Sequence, residues 1–173
     1  TLLAIVIQIA LGGWVSSNYA ALACPDFPTC QGHWQPAMDF NHAFSLHREL
    51  GQTADGQLLP LAALTAIHWS HRLGALVVAL LGSTLALALF RTGQQRWQIW
   101  SGLLALLLLM QIGLGLANVL LGLPLAIAVA HNLGAALLLT ATLALNIRLY
   151  SQRHAESAAS PILGGSGRLD AAG

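Results

Sequence analysis

This 173-residue chain has no lysine, and charged residues of either sign make up only 8% of it. A soluble domain carries roughly 25%, so a water-exposed globular surface is excluded. Seven arginines and six carboxylates leave a formal charge of +1, without the clustered basic face that nucleic-acid binding requires. Cys24 and Cys30 have no second cysteine pair beside them, and His33 alone would not complete a zinc site, so zinc is the weaker reading. No carboxylate lies inside any long apolar run, so an intramembrane acid or base is missing. No signal peptide is expected within the sequence, which opens at Thr1 in an apolar run without a charged flank. That start predicts a fragment, or a chain lacking its true N-terminus.

What is abundant is apolar: 56% of residues, in runs that approach or exceed the ~18 residues of a membrane span. Four spans are predicted, at about 1–15, 60–90, 97–121 and 125–150. The first would cover only ~23 Å of a ~30 Å hydrocarbon core, which again predicts missing upstream residues. The expected fold is all-α, an integral membrane four-helix bundle with an external cysteine-bearing loop. Its domain is residues 1–150, with the external loop at 18–58 and a disordered cytoplasmic tail at 151–173. Within the loop a short amphipathic helix is expected, with Phe40, Phe44 and Leu46 or Leu50 roughly on one face. Arg91, Arg96, Arg148 and Arg153 predict a cytoplasmic 91–96 loop and C-terminus, and an outward cysteine loop. Trp14, Trp69, Trp97 and Trp100 fall near predicted interfaces, as belt aromatics.

Two motifs repeat. His71-Arg-Leu-Gly-Ala in span two is answered by His131-Asn-Leu-Gly-Ala in span four, and Gln8-Ile-Ala-Leu-Gly12 in span one by Gln111-Ile-Gly-Leu-Gly115 in span three. The order is that of two duplicated helix hairpins, which places equivalent residues opposite each other. Ionisable side chains inside a membrane are expensive and usually partnered. Two neutral imidazoles on separate helices suit the axial positions of a haem. Another metal, a proton relay or purely structural histidines are the competing readings. Counted from Pro60 and Pro124, His71 and His131 lie about 16 and 10 Å deep. Gly74 and Gly134 would leave the helix surface open to a flat ligand, or serve close helix packing. His68 shares a face with His71 and is expected in a supporting role, bonding a propionate or His71 itself, with a structural role or service as the ligand in place of His71 as alternatives. Arg72 is the natural propionate partner, its alternative being to snorkel to the interface. Gln8, Gln111 and Asn118 are expected to bond across helices. Cys24 and Cys30, in the outward loop, read first as a disulfide, with thiol exchange or a free pair as alternatives. Gly164-Gly-Ser-Gly-Arg168 has no strand before it and is discarded as a phosphate loop.

The string Leu11-Gly-Gly-Trp-Val-Ser-Ser-Asn-Tyr-Ala-Ala-Leu-Ala-Cys-Pro-Asp-Phe-Pro-Thr-Cys-Gln-Gly32 is followed by Met38-Asp-Phe40, Ala66-Ile-His-Trp-Ser-His-Arg72 and Ala130-His-Asn132. Together they resemble bacterial haem A synthase, the CtaA-type family, over about residues 1–150. The resemblance is to the C-terminal four-helix half of an eight-helix protein of the bacterial inner membrane. It implies an oxidoreductase that converts a methyl group of haem O to the formyl group of haem A. It further implies that His71 and His131 hold a b-type cofactor haem (heme b), and that Cys24 and Cys30 form an external disulfide. The family's other half carries a glutamate three residues before its own His-Arg, where this chain has His68. No catalytic residue is therefore assigned here, and the implied role is electron relay. Implied partners are haem O in the missing half, membrane lipid, and haem O synthase or terminal oxidase assembly factors. A stand-alone b-type cytochrome serving quinol, and a cofactor-free scaffold docking an oxidase subunit, are the alternatives.

Overall fold

Long apolar stretches free of internal proline set four of the five helices in the computed structural model, which describes residues 1–163. In chain order they are α1 (Leu2–Ser17), α2 (Phe40–Ala43), α3 (Leu61–Arg91), α4 (Gln95–Leu120) and α5 (Leu125–Leu163). Pro60 stands at the N-cap of α3, where its fixed φ suits entry into a helix. Gly93, at φ +71°, turns the chain between α3 and α4, and Gly122 and Leu123, at +69° and +62°, turn it between α4 and α5. The Asp39 carboxylate caps α2 by accepting from the Asn41 and His42 backbone amides.

The four long helices close into a ring. Neighbours α1–α3, α3–α4, α4–α5 and α5–α1 pack against each other, and the diagonal pairs α1/α4 and α3/α5 have the more widely spaced backbones. Helices α3, α4 and Leu125–Gln152 of α5 are long and apolar enough to cross a membrane. Leu73, Leu76, Val77 and Leu80 of α3, with Leu103, Leu106 and Leu109 of α4, point away from the protein. Such an outward apolar surface suits lipid and not water, and the chain is a multi-pass membrane protein. Helix α1, at 16 residues, covers about 24 Å and is shorter than a full crossing.

Two cores hold the bundle, one toward each end. At the end away from the cysteine loop, Ile5, Val78, Leu89, Leu104, Leu107, Leu108, Leu138 and Leu145 interdigitate, and Trp97 is buried among them. Trp97 is thus a core residue, where an interfacial position was expected. Ser101 donates to the Ala86 carbonyl at 2.7 Å, linking α3 and α4. At the loop end, Val15, Ala20, Ala43, Leu59, Ala63, Ala66 and Ile67 form the second core.

The 18–60 loop is built on side chains and is not an open excursion. Buried Asn18 accepts on Oδ1 from Arg48 at 2.9 Å and from the Gly51 amide at 3.2 Å, and donates from Nδ2 to the Trp14 carbonyl at 2.9 Å. Arg48 also stacks over the Trp14 ring at 5.5 Å. The expected amphipathic helix shrinks to the single turn of α2; Phe40 and Phe44 stack at 6.4 Å, while Leu46 and Leu50 remain exposed. At the other terminus, α5 continues past residue 150 to Leu163, so the first part of the stretch expected to be disordered is helical. Residues 164–173, with the discarded Gly-Gly-Ser-Gly motif, lie outside the described residues.

Candidate functional site

Between the two cores the interior changes character. Helix α4 buries no residue beyond Leu108, and α5 none before Gly134. At this height the bundle presents His71 from α3 and His131 from α5, both half-buried, on two diagonally placed helices.

Each histidine sits in the same small cage. Gln8 of α1 donates from Nε2 to the His71 carbonyl at 2.9 Å, and the same nitrogen is 3.0 Å from His71 Nδ1. Gln111 of α4 donates to the His131 carbonyl at 3.0 Å, its nitrogen 3.4 Å from His131 Nε2. Four residues after each glutamine a glycine faces the ring: a Cβ at Gly12 would lie 3.1 Å from His71 Cε1, and one at Gly115 3.2 Å from His131 Cε1. Both glutamines stand nine residues before the last residue of their helices, Ser17 and Leu120. The two cages therefore share one depth. The unequal depths counted from the starts of the histidine helices arise because α3 begins earlier, under the loop, where Ala63 and Ala66 belong to the second core.

The glycines after the histidines do something other than leave space for a flat ligand. A Cβ at Gly74 would stand 2.2 Å from Gln8 Oε1, and one at Gly134 2.3 Å from Gln111 Oε1. These positions are small because the glutamine amides fill them. The expectation that Gln8 and Gln111 bond across helices is met, and their partners are the two histidines. The repeat in the sequence was the available signal; only the pairing of its two halves was hidden. Asn118 Oδ1 is buried without a protein partner.

His68 and Arg72 lie on the loop side of the site. Buried His68 donates from Nδ1 to the Ala20 carbonyl at 3.1 Å, fastening the turn after α1. Arg72 donates to three carbonyls, those of Thr29, Cys24 and Asp26, each at 2.8 Å. It was expected to face a ligand carboxylate; in the structure its two terminal nitrogens hold the cysteine loop, whose carbonyls converge on it. Cys24 and Cys30 are disulfide-bonded and fully buried. Asp26 closes the same loop, accepting from the Thr29 hydroxyl and from the Gln31 and Gly32 amides. The Thr29 hydroxyl above all holds the Asp26 carboxyl below the usual carboxylate range, with the two amides adding to it.

The donor set fits a haem better than a bare ion. Among the described residues no group of three or more His, Cys, Asp or Glu side chains could hold a metal, whereas a porphyrin supplies four ligands and asks the protein for two at most. His131 Nδ1 is buried with no hydrogen-bond partner, a costly state for an imidazole nitrogen that has nothing to bind.

The family model for COX15-CtaA, cytochrome oxidase assembly protein, matches residues 1–143. This chain belongs to that family. Among curated relatives it is 41% identical to the heme A synthase of Shewanella oneidensis, over 91% of this chain and 47% of that protein. It is 33% identical to the heme A synthase of Nitrosospira multiformis, over 86% of this chain and 39% of that protein. The chain thus spans about half the length of the curated relatives it matches, or less. No solved structure matches it. Family membership covers α1 to most of α5's span, so both Gln–His cages and the cysteine loop fall within the matched residues.

Proposed function

We propose that this chain is the half of a haem A synthase that holds a b-type haem between His71 and His131 and passes electrons to or from a substrate haem in the other half. The observation that carries the reading is the equivalence of the two cages. Two half-buried imidazoles project at one depth from diagonally placed helices, and the interior between them lacks the buried apolar side chains found above and below. The name of the relatives, heme A synthase, supports the chemistry: conversion of a methyl group of haem O to the formyl group of haem A. The half-length match supports a division of labour. No carboxylate lies within α3, α4 or the part of α5 long enough to cross, so this half offers binding and electron transfer.

A haem held by His71 and His131 would supply reversible one-electron transfer. The protein's own part is to orient the two rings, to exclude water with the loop-end core, and to hold the cysteine loop over the mouth through Arg72 and His68. His68 and Arg72 act on the cofactor's surroundings, and Arg72 Nε, buried without a protein partner, would be the nitrogen left to hold a propionate. The arginine distribution orients the chain with the cysteine loop periplasmic and the end of α5 cytoplasmic. Haem O synthase and oxidase assembly factors are the proteins that would meet it.

The test is to load the purified chain with haem and record its spectrum. A six-coordinate low-spin signature that is lost in both His71→Ala and His131→Ala supports the assignment. Low-spin haem retained in both variants overturns it.

A further inference from the structure

We propose that the end of the bundle away from the cysteine loop seats one anionic phospholipid, its phosphate held between the guanidinium groups of Arg96 and Arg148 and an acyl chain laid on Leu103. The inference is independent of the haem reading. It is carried by charge, by the geometry of the two arginines and by the order of side chains along α4.

The charge at this end is not balanced by the chain itself. From Gly56 to Ala155 the sequence holds Arg72, Arg91, Arg96, Arg148 and Arg153 and not one aspartate or glutamate. The ion pair found among the described residues, His42 with Asp39, lies in the cysteine loop. Glu156 lies about 12 Å farther along α5 than Arg148. Arg96 and Arg148 are both exposed. Cations at a membrane surface draw anions, and lipid headgroup phosphates are the anions that stand there.

Both guanidinium groups are set in place by indoles of one helix. Arg96 lies 4.5 Å from the centroid of the Trp97 ring, and Arg148, reaching over from α5, lies 5.4 Å from that of Trp100. Trp97 is buried and Trp100 half-buried, so the rings are fixed floors. A guanidinium resting on an aromatic face keeps its N–H edge free for a bidentate oxygen acceptor. The two indoles are three residues apart, about 4.5 Å of helix rise, which brings cations from two helices to nearly one height beside the α4–α5 seam.

Arg96, Trp100 and Leu103 stand at i, i+4 and i+7, on one face of α4. From the helix start inward they are a cation, an indole and an aliphatic side chain. That is the order of phosphate, glycerol and acyl chain in a phospholipid. Leu103 is exposed and continues the outward apolar surface that suits lipid. A zwitterionic headgroup would bring its own ammonium beside two guanidinium groups, whereas phosphatidylglycerol brings only the anion.

The experiment uses the purified chain in neutral detergent, titrated with dioctanoyl phosphatidylglycerol, with dioctanoyl phosphatidylcholine or with inorganic phosphate. Bound lipid is counted by native mass spectrometry and the thermal midpoint is followed in parallel. One phosphatidylglycerol should be retained and should raise the midpoint, and the other two additions should do neither. Arg96→Gln and Arg148→Gln should each lower lipid affinity about fivefold, the scale of one basic residue at an anionic surface. Arg96→Lys and Arg148→Lys should recover part of it, since a point charge lacks the planar fork. Trp100→Leu should weaken binding as Arg148→Gln does, because Arg148 loses its floor. Arg91→Gln, which removes a charge at the same end but outside this stack, should bind as the unaltered chain does.

Unchanged affinity in Arg96→Gln and Arg148→Gln would overturn the proposal, as would equal retention of phosphatidylcholine. A response to inorganic phosphate as large as that to the lipid would also overturn it, marking a phosphate site with no lipid in it. So would an Arg91→Gln variant that falls as far as the other two, the sign of diffuse attraction to the whole charged end.

Discussion

Arg72 and Cys24 are joined across the mouth of the bundle, the guanidinium donating to the Cys24 carbonyl at 2.8 Å from one residue beyond His71. The disulfide loop is thereby tied to the helix that carries the candidate ligand. Two further bonds, to Asp26 and Thr29, make the link a clamp.

Arg72→Ala should therefore free the loop before it disturbs the bundle. A hydrogen bond to a charged group contributes about 1.5–3 kcal/mol, and the three share one donor group, so a local loss of at least about 2 kcal/mol is expected. Hydrogen exchange at the Thr29–Gly32 amides should accelerate by more than tenfold, with exchange in α4 unchanged. Arg72→Lys, a point charge without the planar fork, should recover only part of the protection.

Reduction of Cys24–Cys30 should act on the same segment. The cross-link closes a short loop, a sequence separation of 6, for which chain entropy gives about 2 kcal/mol. Because Arg72 and the disulfide order the same residues, Cys24→Ser combined with Arg72→Ala should cost clearly less than the sum of the two. Limited proteolysis of the single and double variants measures this directly.

Acid should open the loop through Asp26. Its carboxyl titrates below the ordinary carboxylate value in the folded chain, because the Thr29 hydroxyl and the Gln31 and Gly32 amides bond the charged form. The unfolded state then holds the proton more tightly. The contribution is fully present above the unfolded value of about 3.9 and is lost as pH falls through the lower folded value. Amide exchange at Gln31 and Gly32 should stay protected at pH 5 and lose protection below about pH 4. Asp26→Asn should remove that pH dependence.

Asn18→Leu tests the other fastening of the loop. Asn18 is buried, and its removal strands the Gly51 amide, takes an acceptor from Arg48 and removes one of the donors to the Trp14 carbonyl. Breaking a buried network of this kind costs roughly 2–4 kcal/mol. Loss of Arg48 from its place over the Trp14 ring should appear as a change in tryptophan fluorescence.

Much of this protein was written locally. The spans were legible because the free energy of placing a residue in lipid depends mainly on its own side chain, so run length and the scarcity of charge suffice. The cysteine-loop motif and the two histidine motifs carried the family resemblance, which the family match bears out. What the sequence could not state is which side chains meet. For Gly74 and Gly134 the close-packing reading holds, with the glutamine amides as the groups they admit, and Arg72 reaches the carbonyls of the cysteine loop. Trp97 was assigned to an interface that its burial contradicts.

On its own the sequence determined that four long apolar helices form, the first too short for a full crossing, and that Gln8/Gln111 and His71/His131 are repeats. Tertiary structure decided that each glutamine belongs to a histidine, that the glycines are seats for the amides, and that Arg72 turns to the loop. The reason is range: a helix forms from contacts three or four residues apart, whereas Gln8 and His71 meet across 63 residues. Only the rotation and register of packed helices bring such distant groups together.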